Sequence, residues 1–209
     1  MTIGPSSPDD VFINCPFDAA YAPFFDALVF AVIACGFRAR SAREVEDGSQ
    51  TRIEKLYGII EECRFGIHDL SRTDLDPITH LPRFNMPLEL GLNLGAKRFG
   101  DEAQKLKRCL ILDTEPFRYQ QFISDLAGMD IRDHGGDPLR AMTHARDWLV
   151  NVSRRRNILG PRRLLDIYDR FLADKPAIAD GLGFDPKRIA YVDYENMVTT
   201  WLLQAPPRR

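Results

Sequence analysis

An open parallel α/β sheet, covered by helices on both faces and followed by a helical C-terminal appendage, is the fold this sequence predicts. Two observations carry it. From Asp10 to about Val152, short apolar runs of strand length alternate with segments of helical periodicity, the pattern of repeated right-handed crossovers. After Gly160 the alternation stops and only helical patterns remain. The most economical strand order for such a chain is 2-1-3-4-5, the flavodoxin-like arrangement.

The elements follow in order. Residues 1–9, rich in Pro, Ser and Asp, are expected to be disordered. Asp10–Cys15 is the first strand and Pro16 ends it. A helix runs from about Ala19 to Cys35, where Gly36 stops it. Phe37–Ala42 is the second strand, followed by the polar loop Arg43–Gly48. Ser49 is the expected N-cap of a helix through Cys63, with Ile53, Leu56, Ile59 and Ile60 on its buried face. Phe65–Leu70 is the third strand. The helix after it presents Leu88, Leu92 and Ala96 as its apolar stripe, with Leu90 and Leu94 at the edges. Arg108–Asp113 is the fourth strand, Pro116 opens a helix to about Ala127, and Met129–Arg132 is a short fifth strand. Pro138–Val152 is helical and ends in the basic run Arg154–Arg156. The sheet domain therefore covers residues 10–156, and residues 157–209 form the appendage, with helices at Arg162–Leu172 and Arg188–Leu203.

Composition narrows the class. A chain of 209 residues that is 44% hydrophobic can bury one sizeable core. A formal charge of −2 argues against a nucleic-acid partner. Cys15, Cys35, Cys63 and Cys109 sit in or beside apolar runs without metal-ligand spacing, so buried, reduced thiols are expected. MTIGPSSPDD lacks the basic and apolar regions of a signal peptide, and the longest apolar run, Phe24–Cys35, is broken by Asp26. The expectation is a cytoplasmic protein with no membrane partner. Neither GxGxxG nor GxxxxGK[ST] occurs, which argues against a Rossmann fingerprint or a P-loop.

The stretch Phe65–Gly100 looks most like a site. An apolar strand ends in Asp69, a proline-containing polar loop follows, and a helix then carries one acid, Glu89, among apolar residues and glycines. A carboxylate in such surroundings needs a partner or a task. Ligands of open α/β sheets bind at the carboxyl ends of the strands. That rule gathers Asn14, Pro16, Phe17 and Asp18 after strand one, Arg43 and Glu44 after strand two, Asp69 and Ser71 after strand three, and Asp113 and Glu115 after strand four.

A strand ending in Asp, a loop, and a helix of the form x-E-L-G-x-x-x-G resembles the nucleoside 2-deoxyribosyltransferase family. That family is a relative of the TIR-like NAD-cleaving domains within a flavodoxin-like group that works on N-glycosidic bonds. DVFINCPFD at Asp10–Asp18 and KRCLILD at Lys107–Asp113 extend the likeness, which covers about half the chain. The resemblance implies that Glu89 stabilises or attacks the anomeric carbon of an oxocarbenium-like state. Asp69 is then the second acid, holding sugar hydroxyls or protonating the leaving base. Phe17, with Phe84, is placed to stack on a base. The chain departs from the family at two positions: Arg83 stands six residues before Glu89 where transferases carry Asp, and Asn85 replaces a Gly. An arginine there favours a phosphate-bearing ligand, NAD or a nucleoside monophosphate. NAD enters as substrate, and no cofactor is expected. Self-association, frequent among TIR-like enzymes, implies a homo-oligomer, and bacterial TIR-like domains imply a context of phage defence.

Other segments have plainer readings. His68 faces away from Asp69 on its strand and reads as structural, and His80, His134 and His144 carry no chemistry. An equal reading of Asp69 is a cap for the turn SRTD. Ser153–Arg163 is a solvated basic linker or a polyanion contact, and Ile189–Leu203 is an amphipathic helix that packs on its own domain or on a second subunit. Three functions follow: an N-glycoside-cleaving hydrolase or transferase, a nucleotide-binding sensor on the same fold, or an oligomerising interaction module. Both acids favour the first; Arg83 in place of Asp favours the second.

Overall fold

A computed structural model of the chain describes residues 9–44, 47–73, 75, 78, 80–185 and 188–204. Five parallel strands, β1 (Asp10–Asn14), β2 (Arg38–Arg40), β3 (Phe65–Asp69), β4 (Arg108–Asp113) and β5 (Ile131–Asp133), lie in the order β2-β1-β3-β4-β5. This is the flavodoxin-like order. Register sets Asn14 beside His68, Asp69 beside Leu112, and Asp113 beside Asp133, so the polar strand ends gather along one edge.

Helix α1 (Ala22–Ala34) is apolar apart from Asp26, and Ala27, Leu28, Val29, Phe30, Ala31 and Val32 are fully buried. Such a helix needs cover on both sides. The sheet and α5 (Pro138–Ser153) supply part of it, and the C-terminal helices α6 (Pro161–Gly181) and α7 (Tyr191–Gln204) supply the rest. Leu164, Tyr168, Phe171, Tyr191, Tyr194 and Val198 belong to the same buried cluster as the sheet residues Val11, Ile13 and Ile67. The helical appendage is thus continuous with the main core. Tyr191 and Tyr194 hydroxyls satisfy the carbonyls of Ala39 and Asp26 at 2.8 and 3.0 Å.

The opposite face carries α2 (Arg52–Glu62) and α3 (Asn85–Phe99), packed over Phe12. A short helix α4 (Glu102–Lys105) leads into β4. Three local expectations are corrected. Thr51, not Ser49, caps α2: its hydroxyl accepts from Glu54 N while Glu54 accepts from Thr51 N, a reciprocal capping box. No helix runs from Pro116 to Ala127; Phe117 takes φ 62°, which a right-handed helix cannot contain, and two 3-10 turns follow at Arg118–Gln121 and Ser124–Leu126. Leu88 is 54% exposed, because α3 turns Met86, Glu89, Leu90 and Asn93 inward.

All four cysteines are free, with Cys15, Cys35 and Cys63 buried and Cys109 half-buried. In the basic linker, Arg155 lies 4.0 Å from the centre of the Phe37 ring, donates to Gly36 O at 2.7 Å and pairs with Asp9. That arginine is a structural clamp. Residues 1–8 of the expected disordered terminus, and residues 45 and 46 of the Arg43–Gly48 loop, lie outside the described residues. Among the described residues no helix is long and apolar enough to cross a membrane.

Candidate active site at the carboxyl edge

Strand alternation sorts the polar residues at the sheet edge onto two faces. Asn14 points toward α3, where its Nδ2 donates to Met86 O at 3.0 Å and lies 3.0 Å from His68 Nδ1. The carbonyl it holds is three residues before Glu89. The His68 ring folds across Gly66, where a Cβ would stand 2.7 Å from Nε2, so only glycine admits it. His68 is fully buried, and burial first, with Lys107 second, pushes its pKa down to about 3. It is a neutral structural histidine.

Glu89 enters from the second turn of α3 and is 4% exposed. Its nearest charge is Arg52, 4.0 Å away, and no hydrogen-bond donor reaches it among the described residues. Burial raises its pKa to about 7, with Arg52 opposing. Past the end of β1, Pro16 is buried and Phe17 is half-buried against the core. The guanidinium carbons of Arg43 and Arg52 lie 5.5 and 5.4 Å from the Phe17 ring centre. Both cations sit within cation–π range of that ring. Asp18 accepts from Tyr21 N at 3.0 Å and pairs with Arg72 at 3.5 Å and Arg83 at 3.4 Å. Arg83 is half-exposed at the mouth, and Asn85 is exposed at the start of α3.

Asp69 hangs from the other face and is fully buried. Its Oδ1 accepts from Ser71 N at 2.8 Å, and its Oδ2 accepts from the Tyr21 hydroxyl at 2.5 Å. His134 Nε2 stands 3.3 Å from the same oxygen. Because Gly136 N donates to His134 Nδ1 at 3.1 Å, the ring proton belongs on Nε2, facing Asp69. Burial pushes the Asp69 carboxyl up, but His134, Ser71 and Tyr21 together outweigh it and hold the pKa below the ordinary value. No hydrogen bond or ion pair joins Asp69 to Glu89 among the described residues. Cys15 lies near both: burial, then the charges of Asp69 and Glu89, hold its thiol protonated.

Farther along the edge, Asp113 accepts from Arg118 Nε at 2.8 Å and Thr114 N at 2.7 Å. Arg118 also donates to Thr73 Oγ1 and Leu70 O at 2.9 and 2.8 Å, tying the loops after β3 and β4 together. Glu44, expected at the site, is instead taken by Arg40, 2.7 Å from its Nε, in a buried ion cluster with Asp10. Sequence reasoning missed Tyr21, Arg52, Arg72, Arg118 and His134. His134 had no neighbouring motif; only the placement of β5 beside β4 brings it to Asp69. Among the described residues no group of three His, Cys, Asp or Glu side chains could hold a metal. No family model, curated protein or solved structure matches the chain, so its own chemistry is what distinguishes the site.

Proposed function

We propose that the mouth formed by Phe17, Asp18, Arg52, Arg83 and Glu89 cleaves an N-glycosidic bond of NAD or another nucleotide, by hydrolysis or transfer. This agrees with the resemblance to the deoxyribosyltransferase and TIR-like group. The observation that carries it is Glu89, a carboxylate 4% exposed, without a hydrogen-bond donor among the described residues, at the carboxyl edge of the sheet. Such a group costs stability, a cost that functional sites retain. A positive charge developing at an anomeric carbon beside it recovers that cost in the transition state, which is where catalysis needs it.

The neighbours narrow the substrate. Arg52 and Arg83 suit phosphate oxygens, by forked hydrogen bonds a bare nucleoside does not use. Asp69 has both oxygens committed, so it positions Tyr21 and His134 and donates no proton to a leaving base. A pyridinium needs none: when the C–N bond breaks, its electron pair neutralises the ring nitrogen, and nicotinamide departs uncharged. The committed Asp69 therefore favours NAD over substrates whose base must be protonated to leave. The same commitment supports a second reading, a sensor that holds a nucleotide and cleaves nothing.

The test is chromatographic product analysis with NAD and, separately, a panel of nucleosides and nucleoside monophosphates, at low and high protein concentration to allow for self-association. Wild type and Glu89→Gln are run together. Nicotinamide or free base from wild type alone supports the proposal. Equal release by both sinks the assignment of Glu89, and silence from both at either concentration leaves the sensor.

A further inference from the structure

A recess lies farther along the same edge. It has a volume of about 360 Å³ over the carboxyl ends of β3, β4 and β5, and its walls include Phe24, Ser71, Arg72, Thr114, Glu115 and Arg118. Neither Phe17 nor Glu89 lines it. We propose that this cleft is a nucleotide subsite that takes a nucleoside 5′-monophosphate unit, the distal half of a dinucleotide whose scissile bond lies at Glu89. The dinucleotide part rests on the reading of Glu89 above; the subsite itself does not.

The size falls within the range of small-molecule sites, roughly 300–1,000 Å³. Its walls divide by chemistry. Phe24 is half-buried, stacked on Tyr21 at 5.1 Å and tilted against His134 at 4.7 Å, and its remaining exposed surface is the aromatic part of the wall that a base would meet. Glu115 is exposed, with no ion pair among the described residues, and stands with the Ser71 and Thr114 hydroxyls. A carboxylate among hydroxyls suits the 2′,3′-diol of a ribose, which donates to it. Arg72 is shared: it walls the cleft and also reaches Asp18 at the mouth, 3.5 Å away. A pyrophosphate joining two nucleotide halves would pass this arginine.

The walls are built in advance. Buried Asp69 fixes Tyr21 and His134 from beneath, and Arg118 is locked by Asp113, Thr73 and Leu70 O. That lock holds the Thr114–Arg118 loop, in which Phe117 is 70% exposed at φ 62°. A bulky aromatic held left-handed and exposed, between two residues that wall the cleft, is a feature packing does not call for. In the proposed subsite this ring belongs to the rim of the cleft, as a second face for the base.

Calorimetric titration of the full chain with AMP, adenosine and inorganic phosphate tests this. AMP should bind, adenosine about tenfold or more weakly, and Glu115→Gln and Phe117→Ala should each weaken AMP about tenfold. Both side chains are exposed, so the variants should melt as wild type does. Glu89→Gln should leave AMP binding unchanged. No AMP binding up to about 10 mM, or binding weakened by Phe17→Leu and untouched by Glu115→Gln, overturns the subsite. AMP held at the cleft by a protein that cleaves nothing keeps the subsite and removes the Glu89 reading. Nicotinamide release lost in Glu89→Gln without AMP binding does the reverse.

Discussion

Glu89 and Asp69 are buried carboxylates on one sheet edge, close enough that both charges act on Cys15, yet the fold treats them in opposite ways. Asp69 receives a backbone N–H and a tyrosine hydroxyl, has an imidazole nitrogen 3.3 Å away, and keeps its charge at any pH near neutral. Among the described residues Glu89 has only Arg52 at 4.0 Å, and its pKa of about 7 leaves the charge undecided near neutral pH. Burial opposes the charge of both; the supply of donors differs. The satisfied acid is a fixture that shapes its neighbours. The unsatisfied one is available to an incoming ligand.

The largest effect that would break this comparison is on turnover. Glu89→Gln keeps the shape and removes the charge, and nicotinamide release from NAD should fall by about 10³-fold, the cost of losing a central electrostatic stabiliser. Next is stability. Asp69→Ala strands the Tyr21 hydroxyl and His134, and chemical denaturation should show a loss of about 3 kcal/mol.

Glu89→Gln should act the other way, and its pH dependence gives the sign. The carboxyl pKa is raised from 4.5 to about 7 on folding, so the folded state holds the extra proton between those values. Wild-type stability from this group therefore falls as pH rises through that window and then levels. The Gln variant should be more stable by about 3 kcal/mol at pH 8 and close to wild type at pH 4.5. Denaturation at the two pH values checks it. Asp69, with its depressed pKa, contributes the opposite slope, its stabilisation being lost only in acid. If cleavage needs ionised Glu89, kcat/KM should climb to a plateau above about pH 7. The smallest effect sharpens the picture of Asp69: Tyr21→Phe should cost about 1–2 kcal/mol in denaturation, with the Asp69 oxygen left one donor short.

The sheet was legible because strand runs and helical stripes are local patterns, and five of them in alternation leave few topologies. Asp69, Glu89, Asn14 and Asp18 were legible as edge residues for the same reason, since strand ends are local too. The N-cap at Thr51 and the turns after Pro116 were not, because a reciprocal side-chain bond and a positive φ at Phe117 overrode weak propensities. Leu88 was misjudged because the inward face of α3 carries Glu89 and Asn93, which a stripe of apolar letters does not reveal.

By itself, then, the chain determined its strands, their order, and which acids stand at the edge. Only the tertiary structure decided what each acid does there. It brought Tyr21 and His134 from distant segments to Asp69, left Glu89 with a single cation among the described residues, and closed α6 and α7 over α1. Hydrophobic periodicity is written along neighbouring residues, whereas the partners of a buried charge are chosen by whichever distant side chains the packing delivers.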